Sequence, residues 1–197
     1  MYAYRRATAS EREAMLAERQ RNRWPWHAPP HFADDVNLYL LTAACFEHRP
    51  LLAAPARRDE WLAAIMALIA DIDGDLRAWV VLPNHYHLVA RVSLADFSAQ
   101  VARLHNGKAT QWNREDASPG RKVWHRFSDR RIRGDRHYFA TLNYVHANPV
   151  HHGYVAKATE WPWNSLDHYM REVGRPTLES WWRDYPLDRY GDGWDSV

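Results

Sequence analysis

A single cysteine stands among 197 residues, so no internal disulfide can form, and a reducing, cytoplasmic setting is expected. That residue, Cys45, lies in an apolar, strand-like stretch and reads as a packed thiol rather than a nucleophile. No apolar run approaches the roughly 20 residues that span a bilayer. The opening Met1-Tyr2-Ala3-Tyr4-Arg5-Arg6 leads into a charged segment instead of an apolar signal core. Without cysteine pairs, a structural zinc site would have to rest on histidine, yet the spacings of His105, His125, His137, His146, His151 and His152 fit no usual zinc pattern. There is no internal repeat and little net charge, only +2.

What is present is ordinary in bulk and uneven in distribution. Hydrophobic residues make up 46% and charged residues 25%, which suits one globular domain with its own core. From Arg121 to Arg136 the chain carries Arg121, Lys122, Arg126, Arg130, Arg131, Arg133 and Arg136 against Asp129 and Asp135. Arginine is the better partner for bidentate phosphate contact, so this segment suits a nucleic-acid backbone; a solvated basic face is the plainer alternative. From Glu179 onward acidic residues outnumber basic ones, and Trp181, Trp182 and Trp194 crowd the same stretch, which suits an end that folds back over the basic segment and competes there with nucleic acid. Of the 11 tryptophans, several can stack on bases, and most are expected to pack.

Taken in order, Ser10 to Arg23 reads as a surface helix behind a serine cap, and Trp24 to His31 as a Pro-rich connector. Val36 to Cys45 is an apolar first strand. Arg57 to Ile72 spaces Trp61, Leu62, Ile65, Met66, Leu68 and Ile69 as an amphipathic helix. A turn at Asp73-Gly74-Asp75 leads to strands over Leu76–Leu82 and His85–Val92, broken by Pro83-Asn84. A second helix starts after Ser93 and runs towards Trp112, and Lys122 to Phe127 is expected as a fourth strand. The order is that of a ferredoxin-like βαββαβ unit, an α+β fold with an antiparallel sheet and helices on one face. A further helix spans Arg136 to Asn148, expected to stop before Pro149. A short helix follows to Met170, and the acidic end is expected to be irregular. The expected divisions are an arm over 1–35, a domain over 36–175 and a tail over 176–197.

Two stretches carry chemistry. His85 and His87, two apart on a strand, point to one face and can present paired imidazoles to a metal; either can equally be a half-buried strand histidine. Tyr144 and Asn148, four apart on a helix, also share a face. An asparagine carbonyl oxygen is a competent ligand for Mg²⁺ or Mn²⁺, and a phenolate is a competent nucleophile at phosphorus. Taken alone, Tyr144 can be a packing tyrosine and Asn148 a helix terminator. Tyr138 is a rival nucleophile, but about 600° of helical turn separates it from Tyr144, and no asparagine follows four residues on.

Together the stretches resemble a known family. Pro83-Asn84-His85-Tyr86-His87-Leu88 is similar to the histidine–hydrophobic–histidine motif of single-tyrosine HUH nucleases. Tyr144-Val145-His146-Ala147-Asn148-Pro149-Val150, with Gly153, resembles the tyrosine helix of IS200-like transposases, within them most nearly the REP-associated tyrosine transposases. Val123-Trp124-His125-Arg126-Phe127 and Trp161-Pro162-Trp163-Asn164-Ser165 look like that group as well. The resemblance covers roughly Val36 to Tyr169. It implies a nucleophile at Tyr144, forming a 5′-phosphotyrosine link to single-stranded DNA. It also implies Mg²⁺ or Mn²⁺ held by His85, His87 and Asn148, and a palindromic DNA hairpin as substrate, cut and rejoined. A monomer is expected, with a dimer of shared sites as the alternative. Arg126, Arg130, Arg131, Arg133 and Arg136 are candidate backbone contacts, with Arg5 and Arg6 as a reaching arm. An idle hairpin-binding protein on the same fold, and an RNA endonuclease without a covalent step, are the competing functions.

Overall fold

Four strands in the spatial order β2-β3-β1-β4 form one antiparallel sheet: β1 Val36–Ala44, β2 Asp75–Val81, β3 His85–Ser93 and β4 Ser128–Arg131. The computed structural model describes residues 36–188, 190 and 191, with Thr8 and Ser10. The chain falls into two units, Met1–Phe32 and Ala33–Val197, and the fold is that of the second. Arg5, Arg6, the connector and nearly all of the expected N-terminal helix lie outside the described residues. Among the described residues, no helix is long and apolar enough to cross a membrane.

The βαββαβ order expected from the sequence is the one observed. Alternation along the central strands splits the core in two, because successive side chains face opposite sides of a sheet. Tyr39, Leu41 and Ala43 of β1 and Tyr86, Leu88, Ala90 and Val92 of β3 face helices α1 (Pro55–Asp71) and α2 (Leu94–Glu115). Trp61, Ile65 and Phe97 meet them there. Leu40, Ala78, Val80 and Val89 face the other way and meet Leu142 and Val145 of helix α3 (Asp135–His151). Each fully buried side chain of this size contributes about 1.5–3 kcal/mol. The tyrosine-bearing helix is thus held against the face that the first two helices leave open. The turn before β2 needs glycine at Gly74, where a Cβ would lie 2.9 Å from Ile69 and Val92.

Three local expectations are corrected. Lys122–Phe127 is not a strand: it runs beside the end of β1 with a single bridge, Trp124 to Cys45, and pairing begins at Ser128. Inward-facing Val123 and Trp124 give it strand-like composition, yet they pack as core rather than lengthen a ladder. Helix α3 does not stop at Asn148 but continues to His151 through Pro149. Gly153, at φ +70°, closes it: Gly153 N–H donates to Val150 and Tyr154 N–H to Pro149, a Schellman ending. The acidic end is not irregular throughout, because Arg175–Asp184 is a helix, α5, following α4 (Leu166–Glu172).

Trp161-Pro162-Trp163-Asn164-Ser165 covers the outer edge of β2. Val81 N–H donates to Trp163 and Ser165 N–H to Trp79, while Trp79 N–H donates to Ser165 Oγ. An otherwise bare sheet edge is thereby paired. Arg58, buried under this segment, donates to the Leu52 and Ala53 carbonyls and lies 3.7 Å from the Trp163 ring centre.

Candidate active site and metal centre

The pairing of β1 with β3 sets Thr42 opposite His87 and Ala44 opposite His85. Both histidines are buried on the α3 face, their rings 5.0 Å apart. Tyr86, between them, points the other way into the α1–α2 core, where its hydroxyl lies 3.1 Å from His105 Nε2. Burial there drives the Tyr86 phenol far above the ordinary range and pushes His105 down to about 3, so neither is poised for acid–base work.

Helix α3 completes the site. Asn148 Oδ1 lies 3.3 Å from His85 Nε2, and Tyr144 Oη lies 3.4 Å from His87 Nε2. Each imidazole is fixed from behind: His85 Nδ1 lies 2.7 Å from Asn84 Oδ1, and His87 Nδ1 lies 2.7 Å from Thr42 Oγ1. Asn84 Oδ1 can only accept, so His85 Nδ1 carries the proton and Nε2 presents its lone pair. That lone pair then faces another, on Asn148 Oδ1, an arrangement that a cation between the two acceptors would satisfy. Ligand atoms at about 2.1 Å from Mg²⁺, set at right angles, stand about 3 Å apart. The donor set, two imidazole nitrogens and one amide oxygen with outer partners orienting the rings, fits a divalent cation. Among the described residues, no three His, Cys, Asp or Glu side chains group as a metal-binding cluster, which leaves the third position to an amide.

The sequence candidates are therefore sorted by position. His85, His87, Tyr144 and Asn148 come together. Arg130 pairs with Leu40 in the register of β4 with β1, which puts it on the site's face of the sheet. Burial first, then the charges of Arg130 and Arg133, lowers the His137 pKa, so positive potential reaches the start of α3. Arg126, Arg131 and Arg136 are exposed along the same edge; Arg5 and Arg6 are outside the described residues. Tyr138 is tied elsewhere, its hydroxyl 3.1 Å from that of Tyr169.

Four features escaped sequence reasoning. Thr42 becomes visible only with strand register, and Asn84 had been read simply as a break. His152, carried by the extra turn of α3, places its ring 5.0 Å from that of His85. The fourth is the meeting of the tail with the Tyr144 helix: Tyr190 bonds Thr141 through its hydroxyl, and its ring lies 6.0 Å from that of Tyr144. Gly191 lies so near that a Cβ there would fall 2.3 Å from the Tyr144 ring. Under this cover Tyr144 is only 4% exposed.

No family model matches the chain. A REP-associated tyrosine transposase of Escherichia coli (strain K12) is 30% identical over 132 residues, spanning 66% of this chain and 70% of that protein. A protein of Haemophilus influenzae carrying the same family name is 28% identical over 123 residues, 57% of this chain and 69% of its own. A solved structure of a REP-associated tyrosine transposase bound to a REP hairpin shares the fold, with a TM-score of 0.62 at 23% identity, over 77% of this chain and 89% of that one. On the strength of the sequence relationship, and with the fold in accord, the chain belongs to the family of REP-associated tyrosine transposases.

Proposed function

We propose that this protein cuts and rejoins single-stranded DNA at palindromic hairpins through a covalent tyrosine link. The observation that carries the proposal is the meeting of Tyr144 with His85, His87 and Asn148 of the same chain, with Tyr144 Oη 3.4 Å from His87 Nε2 and Asn148 Oδ1 3.3 Å from His85 Nε2. A relative of the same fold is bound to a REP hairpin, which supports hairpin DNA as the substrate class. Because both halves of the site come from one chain, a monomer suffices.

Tyr144 Oη attacks a backbone phosphorus; the Oη–P bond forms as the P–O3′ bond breaks. The phenol's proton passes to solvent and the departing 3′ oxygen takes one up, leaving a 5′-phosphotyrosine and a free 3′-hydroxyl. Attack of a 3′-hydroxyl on that link reverses the step and rejoins the strand. Bound Mg²⁺ or Mn²⁺ would polarise the phosphate oxygens and stabilise the charge that develops on them. His85, His87 and Asn148 are the residues to hold it, with Asn84 and Thr42 fixing the rings. Tyrosine's ordinary pKa near 10 makes that electrostatic help necessary near neutral pH. Arg130 and Arg133 supply positive potential along the strand's path.

The test is incubation of the protein with a labelled palindromic single strand and Mn²⁺ or Mg²⁺, followed by denaturing electrophoresis. A denaturant-resistant protein–DNA adduct, absent with Tyr144→Phe, is expected. Hairpin binding without any adduct would instead identify an idle binder, and cleaved RNA without an adduct a non-covalent nuclease.

A further inference from the structure

A cavity of roughly 490 Å³, within the size range of small-ligand pockets, lies between the last turns of α3, the single turn Ala158–Glu160, α4 and α5. Its floor is the small apolar cluster of Ala158, Leu166 and Leu178, all three buried. Met170, whose unbranched thioether adapts to whatever it touches, is half-buried beside them. Val150 and Trp182 line the cavity while 39% and 42% exposed, two of the five large apolar side chains left exposed among the described residues. Apolar groups held in water around one hollow are what a binding site presents.

The charges at its mouth narrow the ligand class. Lys157, Arg175 and Glu179 line the cavity, all exposed. Arg175 Nε donates to Glu179 Oε1 at 2.7 Å, so these two charges offset each other. The carboxylate of Glu160, outside the lining, accepts from the Lys157 backbone N–H at 3.1 Å. The Lys157 ammonium itself makes no ion pair among the described residues. One unbalanced cation over an apolar hollow matches a ligand with an aliphatic body and a single negative charge. A nucleic-acid strand, with a charge on every phosphate, calls for a row of cations instead. Ala147 and Val150, which line the cavity, stand about 110° round α3 from Tyr144 and Asn148, so an occupant would rest on that helix away from its candidate reacting face.

We infer that this cavity binds a small amphipathic monocarboxylate, its aliphatic chain over Leu166, Met170 and Leu178 and its carboxylate at Lys157. The inference is independent of the function proposed above, and it holds equally for a protein that binds DNA without cutting it.

The experiment is a nuclear magnetic resonance titration of the full chain labelled with ¹³C at the methionine methyl groups. The chain has four methionines, so the spectrum is sparse, and Met170→Leu identifies the reporting signal. The probes are sodium hexanoate, octanoate and decanoate, with octan-1-ol as the uncharged comparison. The Met170 signal is expected to shift and saturate, with affinity rising about 15-fold for each two carbons added, the value of two buried CH₂ groups. Octan-1-ol should bind about two- to fivefold more weakly than octanoate, the range of an exposed ion pair. Lys157→Gln should bring octanoate down to the level of octan-1-ol and leave octan-1-ol unchanged. Ala156→Trp, which fills the mouth from an exposed position, should abolish the saturable shift. A Met170 signal that does not move, parallel unsaturated shifts of all four methyl groups, equal binding of octanoate and octan-1-ol, or binding that survives Ala156→Trp would each overturn the site.

Discussion

Gly191→Ala is the sharpest perturbation of the proposed active site that leaves all four of its side chains in place. Gly191 has φ +91°, a conformation that costs an L-residue about 1–2 kcal/mol. The new Cβ would also fall 2.3, 2.6 and 3.2 Å from three atoms of the Tyr144 ring, closer than carbon atoms can pack. Tyr144 cannot retreat, since its helix is wedged against Leu40, Val80 and Val89. The tail must therefore move. Helix α5 should stay, because Asn143 Nδ2 donates to the carbonyls of Trp181, at 3.0 Å, and Tyr185, at 2.9 Å. Only the last stretch is dislodged; it is held by the Tyr190–Thr141 hydroxyl contact, worth about 0.5–1.5 kcal/mol, by the Tyr190 ring against His137, and by the packing of Leu187 and Tyr190 on the α3 side of the core. A strain exceeding about 2 kcal/mol, borne by the covered state alone, shifts the equilibrium towards uncovering Tyr144 by at least about tenfold. The assay is the initial rate of covalent adduct formation with a palindromic single strand in Mn²⁺, at matched DNA saturation. An increase of roughly tenfold is expected, with Tyr190→Phe giving a smaller one. An unchanged or lower rate, in a variant whose circular dichroism and thermal midpoint match the parent, would refute a covering role for the tail.

Two further outcomes follow from burial and from the groups behind the proposed metal ligands. Asn84→Ala removes the acceptor that orients His85, so Mn²⁺ affinity, read by electron paramagnetic resonance titration, should fall about 10- to 100-fold; unchanged affinity would dismiss Asn84 as an orienting group. Burial pushes His105 and His146 each down to about 3, so both stay neutral in the fold. Between the ordinary histidine pKa near 6.5 and that value, the unfolded chain takes up protons that the native state does not. Stability therefore rises with pH in this window, and about 3–4 kcal/mol should be lost between pH 7 and pH 5. Urea titrations at the two pH values should show His146→Gln removing about half of that difference; an identical pH dependence in the variant would count against it.

The sequence carried the parts of the site that rest on local spacing. Period-two alternation put His85 and His87 on one face, and period-four spacing put Tyr144 beside Asn148, so the four side chains that the fold brings together were legible without coordinates. What local spacing cannot encode is register and distant closure. Thr42 and Asn84 serve the histidines only because β1 and β3 pair as they do. Composition misplaced the fourth strand, since Val123 and Trp124 are as apolar as strand residues yet fill core space beside a single bridge. Pro149 misled as a helix stop: a proline inside a helix forfeits one hydrogen bond, and the Schellman ending at Gly153 compensates. The charge imbalance of the acidic end suggested that it folds back, but not that a glycine at its close would be the residue meeting Tyr144.

The clamp of Trp161 to Ser165 on β2 also ties synthesis to competence. His146 Nε2 lies 2.9 Å from Ser165 Oγ, so the helix bearing Tyr144 is fastened to the sheet by residues made after both halves of the site. From His87 to Ser165 is 78 residues in SEQ numbering, or roughly 4–16 s of elongation at about 5–20 residues per second. During that interval the nascent chain holds paired imidazoles without an anchored Tyr144 helix. A message truncated before the clamp yields a product that lacks the fastening for the Tyr144 helix, so the strand cutting proposed above would be withheld until nearly the whole domain has been made.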